Sequence, residues 1–402
     1  MQRVRDVLVP EAALSNAATF GGAQERDCRR GDLILDGNRA VMLAPAEPTG
    51  SPRMVLPALT EPHCHLDKCH SIGRIGDVGG DLIHALNAQR ADKEHWTAED
   101  LRSRMMQGLR EAVDAGCGSL RSHIDWGDDI SPPVGWSVLA ELAADTQINL
   151  QQAALTGIDQ MADRSTCDGI AAEVARTPGG VLGAFLLHHE KMRDGLQNVF
   201  AAANRHALPL DFHVDEGHGA YNALEMICDV ALETGFDGPI LCGHAVSLID
   251  KDGDDLARII DKLLHARIAV CALPTTNLYL QGRRDGTPDR RGLTRLRELH
   301  AAGVPVLVGS DNVADAFCPL GQHDPRAALH LAALAAHLDP PMGRWLPSVT
   351  TDASAAMGLD DCHIEACNLQ DLRICDAAST VDLIAGRAPL VPISHALEAP
   401  DT

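Results

Sequence analysis

The chain has 402 residues, of which 34 are Lys or Arg and 56 are Asp or Glu, giving a formal net charge of −22. So acidic a surface repels phosphate backbones, and 4 Trp, 2 Tyr and 6 Phe are too few for a base-stacking platform, which excludes nucleic acid as a partner. No stretch nears the ~18 consecutive apolar residues of a membrane helix, and MQRVRDVLVPEAALSNAA lacks the continuous apolar core of a secretory signal, so a cytoplasmic location is expected.

In chain order, residues 1–53 carry the strand-like runs DLILDG and AVML, followed by a Pro- and Gly-rich stretch from Ala44 to Pro52. Short apolar runs then recur at about 55–62, 118–122, 148–155, 181–187, 208–213, 239–243, 267–273 and 304–309. Helical spacing separates them. The clearest helix follows Thr97, an N-cap candidate with Asp100 three residues on. It carries Leu101, Met105, Leu109, Ala112 and Val113 on one stripe and stops at Gly116. Another, over 254–266, carries Leu256, Ile259, Ile260, Leu263 and Leu264. Residues 363–402 return to short apolar runs broken by Gly and Pro, so the two ends are expected to pair in one small β domain. The expected division is 1–53 with 346–402 for that domain, and 54–345 for the rest.

Eight strands alternating with helices fit a (β/α)8 barrel, although a doubly wound open sheet alternates in the same way. The placement of polar residues separates the two. The runs end in His63 and His65, His123, Gln151 with Thr156, His188, His213 with Glu216, His244, Thr275 with Asn277, and Asp311. Chemistry gathered from many strand ends is the habit of the barrel. The twelve cysteines are scattered through a long chain and read as reduced, buried thiols.

His63 and His65 in EPHCHLDK (61–68) share one face of a strand, because side chains alternate with period two. Alone, such a pair is weak evidence in a chain with 19 histidines. His213 in DFHVDEG (211–217), His244 in GHAVSL (243–248) and Asp311 in GSDN (309–312) stand at the ends of later runs. Three His and one Asp from the first, fifth and eighth strands suit one divalent zinc or iron ion with a position left open for water.

These motifs, with RSHIDW (121–126) and the run from Leu273 to Asn312, resemble the amidohydrolase superfamily, and within it the cytosine deaminase-like group, over about residues 55–375. The resemblance implies a distorted TIM barrel with a small β-sandwich, one divalent metal ion, Zn2+ or Fe2+, and hydrolytic removal of an exocyclic amine from a small nitrogen heterocycle, releasing ammonia. Carried over by motif, the metal ligands would be His63, His65, His213 and Asp311, which also serves catalysis. Glu216 would be the acid/base that moves a proton to a ring nitrogen, and His244 would orient the attacking water. The expected partners are that small molecule and further copies of the same chain.

Departures from the pattern bear on the substrate. The fourth strand ends in FLLHH (185–189), with Lys191 beyond it, instead of in the bridging lysine of two-metal relatives, which favours one ion. The loop after the third strand, LQQAALTGID (150–159), is shorter than in cytosine deaminases and places Thr156 near their base-reading glutamine. Asn312 follows the metal aspartate where Asp is common, and an amide can donate as well as accept. Phe317 is a candidate to stack on a planar ring. Both base-reading contacts are thus altered, which leaves the ring open. The alternatives are cleavage of another C–N bond, in a cyclic amide or an N-alkyl amine, and a catalytically silent metal protein, for which Glu216 and His244 would have no use. No GxSxG elbow, phosphate loop or HExxH occurs, and no PCxxC follows the HxE at 188–190.

Overall fold

The computed structural model describes residues 2–47, 50–76, 78–288 and 290–397. Seven of its strands come from the two ends of the chain: β1 (Gln2–Pro10), β2 (Ala23–Glu25), β3 (Cys28–Asp36), β4 (Arg39–Ala44) and β5 (Arg53–Pro57), then β14 (Leu372–Cys375) and β15 (Val391–Pro392). Between them run β6 (Leu59–Cys64), β7 (Cys117–Asp125), β8 (Asn149–Gly157), β9 (Gly180–Leu186), β10 (Leu210–Val214), β11 (Ile240–His244), β12 (Ile268–Ala272) and β13 (Val306–Val308).

β6 to β13 form one sheet in sequence order, each strand parallel to the next. A bridge between Cys64 and Asp311 joins its two edges, with the Asp311 N–H donating to the His63 carbonyl at 2.8 Å. This is the (β/α)8 barrel, and the open-sheet alternative falls. The strands β6, β10, β11 and β12 are buried along their whole length, and β12 (IAVCA) reads as an unbroken apolar run, whereas β6 and β10 carry polar side chains into the interior. The run at 55–62 is in fact two strands. The chain crosses at Ala58 from β5 in the outer sheet to β6 in the barrel, and since both sides are buried the junction leaves no mark in the hydrophobic pattern.

The helix Ala98–Asp114 begins as its cap predicts, with the Thr97 hydroxyl accepting the Asp100 N–H at 3.2 Å. Leu101, Met105, Leu109 and Ala112 are buried, but Val113 lies off the stripe and is exposed. Each residue advances about 100° around a helix, so the residue directly after Ala112 points away from the stripe.

The outer sheet has the order β15-β14-β5-β1-β3-β2, with β4 also on β3. The two chain ends meet at β5, which pairs parallel with β1 and antiparallel with β14. Val7, Leu33, Leu35, Val55, Ile374 and Ile393 form its own apolar core. All twelve cysteines are free thiols, eleven of them buried. Among the described residues no helix is long and apolar enough to cross a membrane.

Candidate metal centre and active site

Alternation along the barrel strands sends every second side chain inward. On β6 that row includes His63, on β7 Arg121 and His123, and on β10 Asp211 and His213, all buried. The lower layer is polar and built around the bonded Arg121 guanidinium. Arg121 donates to Asp211 Oδ2 at 2.7 Å, to Gln151 Oε1 at 2.7 and 3.0 Å, and to the Met357 carbonyl at 3.3 Å. Asp211 Oδ1 lies 2.9 Å from His123 Nε2. Burial alone would raise the Asp211 carboxyl, but His123 and Arg121 together hold it below its usual range.

The upper layer is different. His65 Nε2 is 3.1 Å from His213 Nε2 and 3.2 Å from Asp311 Oδ1, while His63 Nε2 is 3.6 Å from the same oxygen. Both ring nitrogens of His63, the Nδ1 atoms of His65 and His213, both Asp311 oxygens and His244 Nε2 are buried with no hydrogen-bond partner. Nature rarely leaves so many buried polar atoms unpaired. Tetrahedral coordination at 2.0–2.1 Å sets ligand atoms roughly 3.3 Å apart, close to these spacings. Burial, then the charge of neighbouring imidazoles, pushes His63 and His213 well below their ordinary pKa, and burial followed by Lys68 does the same to His65. Their lone pairs are therefore free for a cation. The cluster fits a divalent metal ion, and two overlapping donor sets compete for it: His63, His65, His123 and His213, or His63, His244 and Asp311.

Special backbone shapes this layer. Asp215, His244 and Asp311, each at or just past a strand end, have φ of 51°, 71° and 61°, a left-handed conformation that bulky residues adopt at a cost. Asp215 anchors the turn after β10, accepting the Ala223 N–H at 3.1 Å and the Ser247 hydroxyl at 3.1 Å. Gly243 makes room for the His63 ring, since a Cβ there would meet His63 Cε1 at 2.7 Å.

Glu216 sits just outside the imidazoles, with Oε2 3.7 Å from His244 Nε2. Burial, then the Asp311 carboxylate, raises its pKa to about 8. The Asn277 amide lies 3.1 Å from His244 Nδ1, and donation to that nitrogen leaves the ring's own proton on Nε2, toward Glu216. Burial lowers His244 and keeps it neutral.

These groups open on a cavity of about 680 Å3. Of the residues singled out in the sequence, His65, His213, Glu216, His244, Asp311, Asn312 and Phe317 line it, as do His188 and His189, and His63 lies directly behind. Thr156 does not. Its side chain falls on the opposite face of β8, and its hydroxyl donates to the Gly183 carbonyl at 2.8 Å inside the sheet. Gly157, Asp159 and Gln160 reach the cavity in its place.

Sequence reasoning passed over four contributors. His123 was noted only as a strand-end residue, although Arg-Ser-His on β7 carries the same period-two signal as His-Cys-His on β6. Lys68 is buried beside the cavity, 2.9 Å from Asp125 Oδ1 and 5.2 Å above the Phe317 ring. Burial would lower its pKa, but Asp125 and Asp67 reverse the shift and raise it. Gln89, on the helix Leu82–Lys93, and Gln160 line the cavity with buried amide atoms that have no partner. A helix with so weak an apolar stripe carried no signal that it covers a site.

Residues 79–386 match the Amidohydrolase family, and the chain belongs to it. Over 337 residues, 82% of this chain and 76% of the other, it is 35% identical to the pterin deaminase of Rhizobium rhizogenes strain K84. Among solved structures, 5-methylcytosine deaminase from Klebsiella pneumoniae, liganded with 5-fluorocytosine, superposes with a TM-score of 0.80 at 22% identity, covering 96% of this chain and 94% of that one. N-isopropylammelide isopropylaminohydrolase from Burkholderia multivorans superposes with a TM-score of 0.69 at 18% identity, covering 98% and 97%. At these identities the two structures speak for the fold.

Proposed function

We propose that this chain is a hydrolytic deaminase of a planar, amine-bearing heterocycle, and that the ring is a fused bicycle of the pterin type. The observation that carries the reading is Glu216 facing His244 beside a buried, unpartnered His and Asp cluster at the cavity wall. The 35% identical pterin deaminase supports the choice of ring. So does the space, since about 680 Å3 falls within the roughly 300–1,000 Å3 of sites for drug-sized ligands and has room for two fused rings.

His63, His65, His213 and Asp311 would hold one divalent ion, zinc or iron, with His123 supporting the cluster from the Asp211 side. A bound ion of this kind acidifies water, drawing its pKa toward about 7. The protein's own residues do the rest. His244, kept neutral by burial and turned by Asn277, directs its Nε2–H at the incoming oxygen. Glu216 gives its proton to the ring nitrogen next to the amine-bearing carbon as water adds there. It then takes up in turn the two protons that the oxygen releases, passing the first to the leaving amine and keeping the second in place of its own, so that one water enters and one ammonia departs. Leu86, Leu155, Ile158, Phe185 and Phe317 supply apolar walls that flank a flat ring and exclude bulk water.

Gln89 and Gln160 read the polar edge of the ring, each amide able to donate and accept at once. Asn312 commits its nitrogen to Asp315 Oδ2 at 2.7 Å and so offers its oxygen, the same polarity as the aspartate common at that position. The active form is a homo-oligomer, which sedimentation would check.

The test is ammonia release by the metal-loaded enzyme across pterins, guanine, cytosine, aminotriazines and N-alkylaminotriazines. Ammonia should be released fastest from pterins. Alkylamine release in place of ammonia, or no turnover of any amino-heterocycle, would overturn the reading.

A further inference from the structure

A second cluster of metal-type donors lies behind the active site and shares no side chain with it. Cys69 and His70 end the turn that follows β6, and His323 stands in the loop before the helix Pro325–Ala335. Their donor atoms, one sulfur and two imidazole nitrogens, lie within 4.8 Å of one another. Three observations make this more than a chance grouping. First, His323 is 2% exposed and both of its ring nitrogens are buried without a hydrogen-bond partner. Second, His70 adopts a left-handed φ of 57°, a conformation that a side chain of its size holds only under constraint from its surroundings. Third, the neighbouring helix has a glycine where the cluster needs space, since a Cβ on Gly108 would meet His323 Nε2 at 2.8 Å and Leu66 Cδ2 at 2.7 Å.

We propose that Cys69, His70 and His323 form a second metal site, structural in character, that takes a borderline-soft divalent cation of the zinc class. The donor set selects the ion. A thiolate with two imidazoles suits zinc, whereas magnesium and calcium take oxygen donors. The Glu111 carboxylate, 3.1 Å from His70 Nε2, either supplies a fourth ligand or accepts the N–H of a His70 bound through Nδ1, from which the ion would displace the Gln107 amide now 3.3 Å away. As the sulfur–zinc bond forms, the S–H bond of Cys69 breaks and its proton leaves to solvent. Burial holds the Cys69 thiol well above its ordinary range and its Sγ lies 3.2 Å from the Leu66 carbonyl, so the ion itself must displace the proton; the Arg104 guanidinium, which donates to the Cys69 carbonyl at 2.9 Å, offsets part of the cost of burial. His70 and Glu111 remain partly exposed, which gives an ion its way in.

The position suggests the purpose. The Cys69 N–H donates to the His65 carbonyl at 3.1 Å, and the His70 N–H donates to the Val313 carbonyl at 3.1 Å. One ion at this point would clip together the loops that carry His65 and Asp311, which come from opposite ends of the barrel sequence.

Cobalt and zinc loading of the full chain tests the site. The cobalt-loaded wild type should show a thiolate-to-cobalt charge-transfer band in the near ultraviolet, since the active-site cluster contains no cysteine ligand, and Cys69→Ser should lose that band. Zinc-loaded His323→Gln should bind one equivalent per chain less than the wild type. His213→Ala should also lose one equivalent yet keep the cobalt–thiolate band, so failure at one site is distinguishable from failure at the other. A cobalt-loaded wild type without a thiolate band overturns the proposal whether or not the variants fold. So does a band that survives Cys69→Ser, or a His323→Gln protein with undiminished zinc.

Discussion

Two polar layers lie one above the other inside this barrel, and they differ in what they lack. In the lower, each nitrogen of Arg121 meets an oxygen of Asp211, Gln151 or Met357, all of it buried. In the upper, one alternation higher, both ring nitrogens of His63, the Nδ1 atoms of His65 and His213 and both oxygens of Asp311 are buried with no hydrogen-bond partner. Burial is the same in both, so burial alone cannot distinguish a structural network from a functional one. Satisfaction can. A closed network holds strands in register, and an unclosed one of matched donors is a site shaped for something else.

If the upper layer is a metal site, His213→Ala should cause the largest change, removing the ion from the cluster and taking turnover to background. Elemental analysis and ammonia assay check both. Glu216→Gln should come next, keeping the ion and losing about 10²–10⁴-fold in kcat, roughly 3–5 kcal/mol of barrier, with little change in KM. Near-native turnover in that variant would remove Glu216 from the mechanism.

The same residue sets a pH dependence. A carboxyl raised to about 8 keeps its proton below that pH and loses it above, so kcat should decline on the alkaline side. A bound cation draws the transition below that value, and the limb it defines should be missing from Glu216→Gln.

The lower layer should respond in stability. Asp211→Ala strands the Arg121 charge in the interior and should cost about 3–5 kcal/mol in denaturant unfolding. Replacing Arg121 and Asp211 together with apolar residues should recover most of that loss, while turnover stays impaired because His123 has lost its carboxylate. A double variant with normal turnover would separate the two layers completely.

The smallest effect is expected at the cavity edge. Gln89→Leu removes one hydrogen-bonding group and should weaken discrimination between pterin and cytosine by about 1–3 kcal/mol in kcat/KM, leaving the bound metal untouched.

Much of this was legible in the amino-acid order. Period-two spacing placed His63 with His65 on one face, eight apolar runs counted the barrel strands, and the motifs around His213, His244 and Asp311 marked the strand ends. Thr156 shows where such reading fails. Counting along a shortened loop put it at the cavity, whereas the pleat of β8 turns it into the sheet and lets Gln160 reach the site instead. Gln89 and His323 carried no local signal at all, because nothing in their neighbourhoods distinguishes an unpartnered polar side chain from a solvated one.

The sequence by itself determined that His63 and His65 share a face and that polar residues gather at the strand ends, and with that the chemical character of the barrel mouth. Alternation and apolar runs are local properties, dictated by backbone geometry within a few residues. Only the tertiary structure decided that Asp311 closes against Cys64, that Arg121 is answered by Asp211, and that β5 joins the two ends of the chain in one sheet. Each of those contacts joins residues that lie tens to hundreds of positions apart. Whether a buried donor finds an acceptor depends on where distant segments pack, and no local pattern carries that information.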